Sequence, residues 1–335
     1  MGRQMVGKIY SGAFKFTLWG LAALALAGLL LIALIASPLR RPPELTSISK
    51  TAGAVDRSDM PGLDRFHARD GTELGYRRYR ATASNGQIAL LVHGSSGSST
   101  AVHALAKGLA ERGIETYAPD IRGHGASGTR GDIVYLGQLE DDLSDMVGGI
   151  RKNNSGAPLT LLGFSSGGGF ALRVAGSPMQ KLFERTVLLA PYLGYDAPST
   201  RGTDAAGWAS PDIPRFIGLT VLRRIGILCC ESLRTIAFAV APNTSAKLAS
   251  TYSYRLMRNF GPTQAYRDDL AAAANRIAVF AGSADELMFA DKYRDAVGEG
   301  VPVKLIEGVN HMGMVSDAAA VSAVADHVAN AGSGS

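Results

Sequence analysis

A serine hydroxyl becomes a nucleophile at neutral pH only with help. It needs a base to take its proton, an acid to orient that base, and donors for the oxyanion that forms on its target. This chain of 335 residues carries a candidate for each part. Ser165 stands in Gly163-Phe164-Ser165-Ser166-Gly167. The apolar run Leu159-Thr160-Leu161-Leu162 precedes it, and Gly168-Gly169-Phe170-Ala171-Leu172, which reads as the opening of a helix, follows. A strand that turns sharply into a helix, with serine at the apex and glycine on either side, describes a nucleophile elbow. The turn is strained, strand and helix approach closely, and the hydroxyl is left at the edge of a sheet.

The other parts follow other strand ends. Val303 to Ile306 leads into Glu307-Gly308-Val309-Asn310-His311, so His311 is the candidate base. The competing histidine beyond the elbow, His327, falls inside an Ala/Val-rich terminal helix, where an exposed position is expected. Ile277 to Ala281 runs into Gly282-Ser283-Ala284-Asp285-Glu286. Asp285, first after the strand, is the candidate orienting acid, with Glu286 as the alternative. One oxyanion N–H is expected from Ser166, directly after the nucleophile. The second is assigned to Ser95, in the loop His93-Gly94-Ser95-Ser96-Gly97 that follows a strand ending at Val92.

The elements that must position these groups alternate along the chain. From Asp64 an antiparallel hairpin opens, turning at Asp70-Gly71. Gln87 to Val92 is a nearly continuous apolar run, the signature of a strand buried on both faces. Helical spacing then spans Ala101 to Arg112 and Tyr135 to Lys152, with strand patterns at Glu115–Ala118, 159–164 and Thr186–Ala190 between and after them. Such alternation predicts an α/β fold with a parallel sheet and helices on both faces. Between Tyr192 and Arg267 the alternation lapses for longer than a structureless loop should run. Ile217 to Ala241 offers apolar helical material there, and an inserted helical cap over about 193–267 is expected.

Phe16 to Ala36 is a charge-free run of 21 residues, long enough to cross a bilayer. A cleaved signal peptide is the competing reading, but Leu34 stands where a small residue is wanted before the cut, and Pro38 lies just beyond. The expected organisation is a basic segment at 1–15, a transmembrane anchor at 16–37, a linker at 38–62 and a folded domain at 63–331, with a disordered Gly-Ser-Gly-Ser end. Arg3, Lys8 and Lys15 precede the span and Arg40-Arg41 follow it. The amino terminus is therefore expected inside and the domain on the extracytoplasmic side. The net charge of +5 belongs to this region: residues 1–50 hold six Lys/Arg and one Glu, and the remainder is balanced at 28 of each sign. A basic nucleic-acid face on the domain is thereby excluded. Cys229 and Cys230 are adjacent, which suits neither a mutual disulfide nor a zinc spacing, and they are expected as small apolar residues of a buried helix.

His93-Gly94, Asp120-Ile121-Arg122-Gly123-His124-Gly125-Ala126-Ser127, the elbow at Ser165, Asp285 and His311 together resemble the α/β-hydrolase superfamily. The similarity is to its lysophospholipase and monoacylglycerol-lipase-like branch, which includes serine-aminopeptidase-like members, and spans residues 64–330. The resemblance implies a mostly parallel eight-stranded sheet, the order nucleophile, acid, histidine along the chain, and a structural rather than catalytic role for His124. It implies a serine esterase acting on a small-molecule or lipid ester through an acyl-enzyme, with no metal or organic cofactor and no obligate protein partner. An amidase or aminopeptidase with the same triad is the alternative, and a non-catalytic membrane-tethered binding protein is a third reading. Two departures line the acyl pocket: Phe164 stands where this branch often has histidine, and Ser95-Ser96 follow His93-Gly94.

Overall fold

The computed structural model describes residues 2–201, 207–240 and 248–330. The side chains of Arg3, Lys8 and Lys15, parts of the expected cap at 202–206 and 241–247, and the end at 331–335 lie outside the described residues. The chain begins with α1 (Gly2–Ile35). Within it, Thr17–Ile35 is 19 residues of mean hydropathy 2.6, long and apolar enough for a membrane span or a signal sequence. The segment before the sheet is not bare linker. It contains α2 (Thr46–Gly53), whose Ile48 is buried in the main core and whose Thr51 accepts a hydrogen bond from Asn310.

The sheet is built from β1 (Asp64–His67), β2 (Glu73–Tyr79), β3 (Ile88–Val92), β4 (Glu115–Pro119), β5 (Leu159–Phe164) and β6 (Arg185–Leu189). Between them run α3 (His103–Glu111), α4 (Gln138–Asn153) and α5 (Ser166–Ala175). An insertion follows, comprising β7 (Ala209–Pro211), α6 (Ile213–Arg224), β8 (Arg234–Phe238), β9 (Thr251–Ser253) and α7 (Tyr254–Asn259). The chain closes with α8 (Tyr266–Ala273), β10 (Ile277–Gly282), α9 (Tyr293–Val297), β11 (Val303–Ile306) and α10 (Ala318–Asn330).

Among the described residues the main sheet has eight strands in the order β1-β2-β4-β3-β5-β6-β10-β11. The β1–β2 and β2–β4 pairs are antiparallel and the rest parallel, as the opening hairpin and later alternation imply. β3 and β5 lie side by side at the centre, and every residue of both is buried. Covered on both faces, they have no polar alternation to show. Helix α3 packs with α10 and α5 with α8. The parallel strands all end toward one rim, where ligands bind in open α/β sheets.

The insertion is not purely helical. β7, β8 and β9 form a separate three-stranded antiparallel sheet beside α6. The stretch Ile217 to Ala241 therefore splits. Helix α6 stops at Arg224, just before Gly226 at φ 84°, and Arg234–Phe238 pairs on both edges as strand β8. Cys229 and Cys230 sit in the turn between, Cys229 exposed and Cys230 partly so, which corrects the expectation of a buried helix. The last turn of α1 rests on α6. Ile35 and Leu31 join the cluster of Leu219, Leu222 and Tyr254, Arg215 Nε donates to the Ile35 carbonyl at 2.8 Å, and Ser37 Oγ donates to Asp212.

Candidate active site

The elbow is set by backbone. Ser165 adopts φ 55°, ψ −118°, a conformation non-glycine residues rarely take, and caps α5. Its N–H donates to Leu189 O at 2.9 Å on neighbouring β6, and its carbonyl accepts from Tyr192 at 3.0 Å and Gly169 at 3.1 Å. The flanking glycines are steric requirements. A carbon added at Gly163 would lie 2.1 Å from Gly167 O, and one at Gly167 would lie 2.3 Å from His93 O. Helix and strand meet with no room for a single methyl group.

Asp285 and His311 come together from the ends of β10 and β11. His311 Nδ1 lies 2.8 Å from Asp285 Oδ2, both side chains being almost fully buried. The second carboxylate oxygen, Oδ1, accepts backbone N–H bonds from Leu287 at 2.8 Å and Met288 at 2.9 Å. With Oδ1 taken by two N–H donors, Oδ2 is the oxygen that faces the ring, and an N–H on Nδ1 donating to it would leave the Nε2 lone pair free. Glu286 touches His311 differently: its Oε2 accepts the main-chain N–H at 2.9 Å, so it holds the loop and not the ring. The Phe164 ring stacks at 4.9 Å from the His311 ring, one residue before Ser165. Among the described residues no hydrogen bond joins Ser165 Oγ to His311 Nε2. Ser165 is 5% exposed, at the foot of the elbow beside the loop after β3.

The loop after β3 lies against the elbow, since a carbon placed at Gly94 would sit 3.1 Å from Ser165 Cβ. His93 donates from Nδ1 to Gly94 O at 2.7 Å and accepts the Ile121 N–H on Nε2 at 3.1 Å. Among the described residues the N–H groups of Ser95 and Ser166 have no hydrogen-bond partner. Ser166 is the first residue of α5, where N–H groups have no acceptor within the helix.

The segment Asp120–Ser127 acts as a bracket. Asp120 accepts from the N–H groups of Ser99 and Ala126 at 2.8 and 2.9 Å, and Ser127 Oγ accepts from Gly75 at 2.9 Å. Arg122 is buried against Asp142 in a two-pronged pair at 2.7 Å and reaches Asp70 at 2.9 Å. Burial would raise the Asp70 carboxyl, but the Arg122 and Thr72 hydrogen bonds overcome it and hold the group down at about 2. For Asp142 burial wins and its carboxyl is pushed up. His124 is bonded away from Ser165: Nδ1 faces the carbonyls of Ile121 and Arg122, and Nε2 lies 2.6 Å from Tyr252 OH. Burial drives its pKa well below the usual histidine range. His327 is half-buried against the Phe280 ring rather than exposed as expected.

Sequence reasoning missed the residues of the insertion that touch the loop after β3. Trp208 Nε1 donates to Ser95 Oγ at 3.0 Å, and Tyr252 OH accepts from the Ser96 N–H at 2.7 Å. Tyr252 is 156 positions from its partner, so no local spacing could have announced the contact.

Comparison with known proteins bears on this arrangement. The profile of the family described as "Serine aminopeptidase, S33" matches residues 83–315. Human monoglyceride lipase is 29% identical over 150 residues, covering 44% of this chain and 48% of that protein, so the match spans about half the relative's length. A soluble variant of monoglyceride lipase from Saccharomyces cerevisiae, in complex with a substrate analogue, superposes with TM-score 0.58 at 17% identity over 81% of this chain and 94% of that one. A monoacylglycerol lipase from Paleococcus ferrophilus gives 0.53 at 17% over 77% and 98%. At these identities the two structures establish the α/β-hydrolase fold.

Proposed function

The chain belongs to the serine aminopeptidase S33 family of α/β-hydrolases, and from that membership we propose that it is a serine hydrolase cleaving carboxylic esters of lipidic kind, such as monoacylglycerols or lysophospholipids. The observation that carries this reading is the buried Asp285–His311 pair at 2.8 Å, set beside an elbow that holds Ser165 at φ 55°.

Ser165 Oγ attacks the ester carbonyl while His311 Nε2 takes its proton. Asp285 keeps the other ring proton on Nδ1 and stabilises the imidazolium that forms. The N–H groups of Ser95 and Ser166 receive the oxyanion as fixed backbone donors. His311 then returns its proton to the leaving alcohol, and water repeats the sequence on the acyl-enzyme.

A lipidic substrate is supported by the apolar surface of the insertion, where Ile213, Ile217, Val221, Ile225 and Leu228 are exposed. The same reading takes Thr17–Ile35 as a retained anchor, with the amino terminus inside and the domain extracytoplasmic; protease protection in sealed vesicles tests that orientation. The deciding experiment is a chain-length series of p-nitrophenyl and glyceryl esters beside an aminoacyl p-nitroanilide. Preferred turnover of medium or long acyl esters is expected. Preferred turnover of the amide would replace the esterase reading with the aminopeptidase one.

A further inference from the structure

We propose that Tyr252, on strand β9 of the insertion, is a positioning residue for the oxyanion-binding loop, so that the cap supplies part of the acyl-transfer machinery. The inference rests on the hydrolase reading above and adds a residue to it.

The loop in question is strained. Ser96 holds φ 63°, a left-handed conformation that costs a non-glycine residue and persists only where neighbours enforce it. The enforcement comes from the insertion. Ser96 N–H donates to Tyr252 OH at 2.7 Å, Ser96 Oγ donates to Ala249 O at 2.8 Å, and Ser96 O accepts from Ala249 N–H at 3.0 Å. All three polar groups of one loop residue are thus held by the cap. Next to it, Trp208 Nε1 donates to Ser95 Oγ at 3.0 Å.

The direction of each bond follows from the ring beyond. His124 Nδ1 faces two carbonyls, at 3.2 and 3.3 Å, so it carries the hydrogen and Nε2 is a lone pair. Tyr252 OH therefore donates to His124 Nε2 at 2.6 Å and accepts from Ser96 N–H. Burial keeps both rings in these neutral states, lowering the histidine and raising the phenol. The phenol is also packed edge-on against Phe238, 4.6 Å between centroids, which fixes where its oxygen points. The Ser96 N–H is committed to Tyr252, whereas the neighbouring Ser95 N–H, like that of Gly94, has no partner among the described residues and is free to face the elbow. Tyr252 thereby selects which amide binds the oxyanion and holds it there. No spacing in the sequence and no family role assigned to Asp120–Ser127 names this residue.

The test uses the full-length protein in detergent and the variant Tyr252→Phe, which removes one oxygen and keeps the ring. Two inhibitors are compared: a boronic acid, whose tetrahedral adduct with Ser165 places an oxygen where the oxyanion would sit, and an ether analogue of the substrate, which does not. Deleting an oxyanion donor outright costs about 10²–10³ in kcat, and loosening one should cost roughly tenfold. Tyr252→Phe is expected to lose about that factor in kcat with KM unchanged, and to bind the boronate weaker by the same factor while binding the ether as wild type does. Trp208→Phe, which removes the indole N–H on Ser95 Oγ while keeping an aromatic ring against Phe238, is expected to show a smaller loss with the same split, and serves if Tyr252→Phe does not fold. Equal weakening of both inhibitors, or unchanged kcat in the variants, overturns the proposal alone. Wild-type protein that fails to react with a fluorophosphonate overturns the hydrolase reading and this inference with it.

Discussion

Changing Asp285 to asparagine tests the triad through a single hydrogen atom. The carboxylate uses its two oxygens differently: Oδ1 accepts from the Leu287 and Met288 N–H groups, and Oδ2 faces His311 Nδ1. An asparagine must therefore choose how to sit. Turning its NH₂ toward two backbone donors would leave both unpaired in a buried site, at about 1–3 kcal/mol each. The amide oxygen is expected to stay on the backbone side, which aims the NH₂ at His311 Nδ1. That nitrogen then has to accept, the ring proton moves to Nε2, and Nε2 can no longer take the serine proton. In serine–histidine–aspartate triads this tautomer error costs about 10⁴ in kcat, or roughly 5 kcal/mol of barrier. The assay is kcat for a p-nitrophenyl ester in Asp285→Asn and Glu286→Gln, with thermal melting run beside it. Asp285→Asn should melt near wild type and lose about 10⁴, whereas Glu286→Gln, which touches only the His311 main chain, should lose less than about tenfold. A loss under tenfold in Asp285→Asn, or a larger loss in Glu286→Gln, would refute the assignment of the acid.

Ser165→Ala removes only a hydroxyl, and is expected to lower kcat by roughly 10⁶ and to abolish fluorophosphonate labelling with the melting temperature unchanged. Arg122→Met should destabilise the fold by about 3–5 kcal/mol at pH 7, because Asp142 is left as a buried unpaired carboxylate; Asp70, about a third exposed, adds less through screening. The lowered Asp70 pKa gives stability that is present above the ordinary carboxylate range and lost as the pH falls toward about 2, so in urea titrations the deficit should be full at pH 7 and narrow on acidification. Deleting residues 2–28 keeps Leu31, Ile35 and Ser37 on the cap, whereas deleting 2–40 uncovers Leu219 and Leu222 and should cost the insertion about 2 kcal/mol or more. Limited proteolysis of α6 in the two truncations distinguishes them, and equal resistance would remove the anchor end from the cap's support.

What was legible in the sequence was local. The central strands β3, β5 and β10 announce themselves as apolar runs because neighbours cover both their faces, and the turns carrying Ser165 and Asp285 each follow such a run, whereas His311 follows the short, partly exposed edge strand β11. Glycine reported the tight helix–strand contact at positions 163 and 167 because only a hydrogen atom fits there. The insertion was less legible. β7 and β9 are three residues each, too short for alternation to register, and β8 follows α6 within one apolar stretch whose composition suits either element. Cys229 and Cys230 were misplaced for the same reason, since the helix they were assigned to ends before them. The grip of Tyr252 on Ser96 joins groups far apart in the chain, and one tyrosine among eleven carries no mark of it.

The seat of α1 on α6 changes which part of this molecule should be regarded as stationary. A lid is ordinarily pictured as swinging over a fixed catalytic body. On the proposed reading of residues 17–35 as a bilayer anchor, the lid is the clamped piece. The heavier body, attached through residues 38–45 and α2, is the one that has to swing when the mouth opens. Opening would then lower the triad away from a roof that stays at the lipid, and drag on the large domain rather than on the small one would set its pace.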